Sequence, residues 1–118
     1  MSTSTALSIE ALREAARIGG ARIAEHVTDD VEFVEIDQKT PPAAPAVHRG
    51  RAALVEMAED LERRGIRMEI QDGFLTGNRG AVSVACTYPD GRRVVEHALL
   101  TLRDGRIARW DGVQAWDE

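Results

Sequence analysis

Cysteine is nearly missing from this chain of 118 residues: Cys86 stands alone, which excludes an internal disulfide and a zinc site built on thiolates. Histidine is scarce as well. His26, His48 and His97 contain no i, i+4 pair, so no metal centre is expected. Aromatic side chains make up 4% of the chain and are limited to Phe33, Phe74, Tyr88, Trp110 and Trp116. Lysine is reduced to Lys39; the other fourteen cations are arginine, a bias associated with GC-rich bacterial genomes. No apolar run approaches the roughly 18 residues that cross a bilayer. The opening segment, MSTSTALSIEALREAARIGG, has no basic stretch followed by an apolar one, and the expected location is cytoplasmic. Twenty acidic residues against fifteen basic give a formal charge of −5. That surface repels phosphates, so neither nucleic acid nor a membrane is an expected partner. Glycine-rich phosphate loops and nucleophile elbows are missing too, and no cofactor is implied.

What remains is 43% apolar and 30% charged, an ordinary globular composition. The length fits one domain over 1–118, burying roughly two-thirds of its unfolded surface, enough to wall a small pocket. Ile9, Leu12, Ala16, Ile23 and Val27 recur at helical spacing, with Ser8 as N-cap and Glu10 in the first turn. Gly19-Gly20 interrupts this stripe, which predicts a helix over 8–18 and a second short one to about 26. Alternation of Val31, Phe33 and Glu35 with Glu32, Val34 and Ile36 predicts a short strand. Residues 37–50 read as a loop, since Pro41, Pro42 and Pro45 exclude helix and central strand. A helix follows from Arg51, with Leu54, Met57, Ala58 and Leu61 on one face and Gly65 as its stop. Four strands near 66–75, 81–88, 92–103 and 106–115 are set apart by Gly77-Asn78, Pro89-Asp90-Gly91 and Asp104-Gly105. The order predicts an α+β fold with helices on one face of a curved antiparallel sheet.

Two acids sit where acids are costly. Glu35 shares strand parity with Val31 and Phe33, so burial should raise its pKa toward the range useful for proton transfer. The alternative is a wet strand end, where Glu35 is merely solvated. Glu96 stands in a row with Val94, Ala98, Leu100 and Leu102, opposite Cys86, Val84 and Val82. It either faces a pocket or reaches water beside an arginine such as Arg92. His97 points the other way. Asp111 depends on the last turn. With Asp104-Gly105 as a two-residue loop it lies across from Ala98 on the face of Glu96; with Arg103 included, it faces His97. Trp110 takes the opposite face. Glu35, Glu96 and Asp111 are therefore the candidate catalytic groups. Phe33, Tyr88, Trp110 and His48, on the proline-rich rim, are the candidate ligand contacts.

Three stretches resemble the NTF2-like superfamily, which includes ketosteroid isomerases, SnoaL-like polyketide cyclases and limonene-epoxide hydrolases. They are Thr28-Asp29-Asp30-Val31-Glu32-Phe33-Val34-Glu35, His48-Arg49-Gly50-Arg51-Ala52-Ala53-Leu54 and the hairpin from Leu102 to Asp111. The resemblance implies a cone-shaped fold holding an apolar small molecule. It aligns Glu35 with the general base of the isomerases. It also exposes departures: the first long helix carries no aromatic residue, and Ala98 stands where isomerases have Asp and cyclases His. Trp110 is followed by Asp111-Gly112, where the hydrolases continue with Arg-Asp. The reading is a small acid–base isomerase, cyclase or hydrolase, with Glu35 as base and Glu96 or Asp111 as its partner. The alternative is a non-catalytic ligand-binding or dimerisation module. The outer sheet parity, Val95, His97, Leu99 and Thr101 beside Ala81, Ser83, Ala85 and Thr87, is flat and weakly polar. It suits an identical sheet better than water, and the resemblance implies a two-fold homodimer through it.

Overall fold

The computed structural model describes residues 7–117. Helix α1 (Ile9–Ile18) starts where the Ser8 hydroxyl accepts the Ala11 N–H at 3.0 Å, the cap expected from its position. It stops at Gly19, and a 3-10 helix runs from Gly20 to His26. Gly20 lies close against its neighbours: a Cβ there would sit 3.2 Å from Met68 Cε and 3.5 Å from Ala58 Cβ. Strand β1 (Val27–Ile36) begins four residues before the alternating pattern. Strand β2 (Ala46–Arg49) forms inside the segment expected to be a loop. Its prolines precede it and it pairs only with β1, an edge position that proline permits. Gly50, at φ +91°, turns the chain into helix α2 (Arg51–Arg63), and Gly65, at φ +71°, turns it out again. Strands β3 (Arg67–Thr76), β4 (Arg79–Thr87), β5 (Arg93–Arg103) and β6 (Arg106–Trp116) then follow as the predicted meander.

The sheet order is β2-β1-β6-β5-β4-β3. Every neighbouring pair is antiparallel except β1 and β6, which run parallel, so the sheet is mixed and open. The helices cover one face. Leu12, Ala16, Ile23 and Leu54 meet Val31, Ile70, Val84 and Leu100 there, all nearly inaccessible to water. This is the α+β architecture expected from the element order.

Two arginines fasten helices to strand ends. Arg51 Nε donates to the Ala24 carbonyl at 3.1 Å and Nη2 to that of Val27 at 2.7 Å, while Nη1 pairs with Asp29. Arg13 Nε donates to the Ile70 carbonyl at 3.1 Å and Nη2 to that of Gln71 at 3.2 Å, where β3 carries a bulge. A second bulge falls in β6. Arg103 faces Arg106 across the two-residue loop Asp104-Gly105, but the register has slipped by one residue at Thr101 and Arg109.

Candidate functional site

The slip in β6 decides which side chains face inward. With Ala108 as the extra residue, Trp110 lies across from Leu100, Gly112 from Ala98, Gln114 from Glu96 and Trp116 from Val94. Those four point to the helices. Asp111 lies across from Leu99 on the outer face, where it pairs with Arg109 at 2.9 Å. Neither alternative read from loop length holds for Asp111. The loop has two residues, yet the bulge moves the aspartate away from Glu96, and it is not opposite His97.

Between the inner face and the helices lies a cavity of about 220 Å³. Phe33, Tyr88, Trp110 and Trp116 line it with Met57, Met68 and Leu61, and both Glu35 and Glu96 open into it. Phe33 stacks on Trp110 with centroids 5.0 Å apart. Glu96 is 8% exposed and accepts the Trp110 indole N–H on Oε2. Gln114 Nε2 donates to Glu96 Oε1 and to Glu35 Oε2, each at 2.7 Å, and so joins the two carboxyls. Trp116 Nε1 donates to Gln114 Oε1 at 3.0 Å, which turns the amide nitrogen toward the acids. Burial, then the adjacent Glu96 carboxyl, push the Glu35 pKa from its ordinary 4.5 up to about 9. Asp37 adds to the rise and Gln114 opposes it. Cys86 also lines the cavity, and burial raises its thiol to about 11, so it is held as a thiol.

Glu35, Glu96, Phe33, Tyr88 and Trp110 are thus brought together as the sequence suggested. His48 is not among them: it is half-buried on β2, across from Phe33 and outside the lining. Gln114, Trp116 and Gly112 were missed. A Cβ at Gly112 would fall 2.2 Å from Glu96 Oε2, so only glycine leaves the carboxylate its place over β6. Of the three, Trp116 alone carried a signal, the strand parity it shares with Trp110. At the end of the sheet where β4 leaves and β5 enters, Tyr88 carries the guanidiniums of Arg64 and Arg92 over its ring, at 5.8 and 5.3 Å. Lys39 lies over Trp116 at 5.8 Å. Among the described residues no group of three or more His, Cys, Asp or Glu side chains gathers to hold a metal. No helix among them is long and apolar enough to cross a membrane.

The outer face carries a shallower hollow of about 450 Å³, with Phe74, Leu99 and Val113 in its walls beside His97 and Asp111. It holds no buried acid.

Similar structures share this architecture. An NTF2-like protein of unknown function from Mesorhizobium loti superposes with a TM-score of 0.67 at 22% identity, over 87% of this chain and 81% of the other. A candidate ketosteroid isomerase from Kribbella flavida gives 0.62 at 22% identity, over 92% and 71%. A protein with a ketosteroid isomerase-like fold from Catenulispora acidiphila, solved in complex with trimethylamine, gives 0.63 at 13% identity, over 94% and 85%. No curated protein matches the sequence significantly. The family model for the SnoaL-like domain matches residues 9–110, nearly the whole of the helices and sheet just described. The chain therefore belongs to the SnoaL-like domain family.

Proposed function

We propose that the protein is a cofactor-independent acid–base catalyst of the isomerase, cyclase or hydrolase type, acting on a small molecule in the inner cavity. The observation that carries this reading is the buried Glu35–Glu96 pair bridged by Gln114. With its pKa near 9, Glu35 holds a proton at neutral pH and serves as the acid. Glu96, whose two oxygens accept from the Trp110 indole and the Gln114 amide, is the base, the reverse of the roles expected from the sequence. In an enone isomerisation Glu96 takes a proton from the carbon beside the carbonyl while Glu35 gives its own to the oxygen. The enol proton then returns to Glu35, and Glu96 delivers the other to a different carbon, so the enzyme is unchanged. The similarity to the candidate isomerase from Kribbella flavida supports this class. A four-ring steroid is too large for about 220 Å³, which is below the roughly 300 Å³ at which drug-sized pockets begin.

Conversion of cyclohex-3-en-1-one to its conjugated isomer, followed by ultraviolet absorbance, tests the chemistry. The wild type is expected to accelerate it, and Glu96→Gln to lower the rate by about 100-fold or more. The rate should also fall as pH rises through about 9 and the pair loses its proton. An unaccelerated reaction, or one indifferent to Glu96, overturns the proposal. The second reading, a non-catalytic binding module, is favoured by the aliphatic Ala98 beside Glu96; it predicts binding without turnover.

The same reading includes a two-fold homodimer through the outer sheet face. Leu99 is 56% exposed, Val113 57% and Phe74 60%, an apolar surface of the kind identical sheets cover.

A further inference from the structure

We infer that the ligand of the inner cavity is an apolar molecule about one ring in size that carries a cationic amine. The inference rests on reading that cavity as the ligand site and adds the chemical class of its occupant. Four of the five aromatic side chains in the sequence, all but Phe74, line this one space. The faces of such rings attract cations. They already do so from outside the lining, where Arg64 and Arg92 lie over Tyr88 and Lys39 over Trp116.

The polar groups agree with the rings. Two carboxyls face the cavity, and no Lys, Arg or His is among the residues that line it. The indole N–H groups of Trp110 and Trp116 and the amide nitrogen of Gln114 are spent on partners within the site. No cation in the lining is left to receive a carboxylate or phosphate, whereas a positive charge meets two carboxyl acceptors there. Among the described residues neither carboxyl is paired with a Lys, Arg or His side chain, so a cationic ligand would supply their counter-ion. Two carboxylates are too few donors for a dedicated metal, which leaves an organic cation. A cavity of about 150 Å³ admits benzene, so about 220 Å³ admits one ring with a short aminoalkyl arm.

Titration calorimetry at pH 7 with three isosteric probes separates the possibilities: protonated 2-phenylethylamine, 2-phenylethanol and phenylacetate. Both tryptophans line the cavity, so intrinsic fluorescence reports the same binding independently. The amine is expected to bind at least tenfold tighter than the alcohol, and phenylacetate to give no saturable heat. Glu96→Gln, or Glu96→Met should the first variant fail to fold, is expected to reduce that preference about tenfold. Equal affinity for amine and alcohol overturns the cationic class and leaves the cavity as a ligand site. Binding of none of the three overturns both the class and the site.

Discussion

Glu35 keeps its proton over a pH range in which the unfolded chain has released it. Its folded pKa lies near 9 against an ordinary 4.5, raised first by burial and then by Glu96. The folded state therefore binds more protons between those values, and the stability linked to this group declines with rising pH. It is fully present below about 4.5 and lost by about 9, at a slope of at most about 1.4 kcal/mol per pH unit. Glu35→Gln keeps a neutral hydrogen-bonding group, so thermal melts should show a flatter pH dependence. At pH 8 the variant should melt higher than the wild type by roughly 5 °C or more; parallel melting curves across pH 5–8 would refute this. Both acids were legible in the sequence because a carboxyl in an apolar row costs free energy unless it has a partner or a task. Gln114 was not: an amide on an inward position carries no such penalty and raises no flag. Gly112 was invisible for a different reason, since the space it leaves is defined by Glu96 of another strand.

The order of the four meander strands and their hairpins were readable from turn residues, because Gly, Asn and Asp at short intervals mark where a meander reverses, whereas the parallel pairing of β1 with β6 was not. The bulge at Ala108 was not. No residue there demands it, and its effect is to exchange the inward and outward sets along the rest of β6, Asp111 included. Strand β2 was hidden by its prolines, which forbid a central strand but tolerate an edge. Long-range ties such as Arg51 also escape a sequence reading. Its guanidinium spans the carbonyls of Ala24 and Val27, joining the end of the 3-10 helix, the start of β1 and the first turn of α2. Arg51→Ala should cost about 2 to 3 kcal/mol in urea unfolding, as two part-buried carbonyls lose a charged donor. Arg51→Lys should restore little of it, because a single ammonium cannot reach both carbonyls in the fork geometry.

At the scale of the molecule, one face of the sheet is filled by helices and the other is left apolar and open. Sedimentation at neutral pH and micromolar concentration is expected to give a dimer. Leu99→Lys should yield a monomer that remains folded, because Leu99 is 56% exposed in the single chain and contributes little to its core. A dimeric variant would mean that this face is not the contact. Arg13 bears on what kind of assembly is open to the protein. The sheet has a free margin at β3, where unpaired backbone groups offer a template for strand addition by another copy. The guanidinium of Arg13 already occupies the carbonyls of Ile70 and Gln71, and the bulge beside them breaks the regular spacing that an incoming strand needs. Strand addition along β3 is thereby obstructed at its starting point.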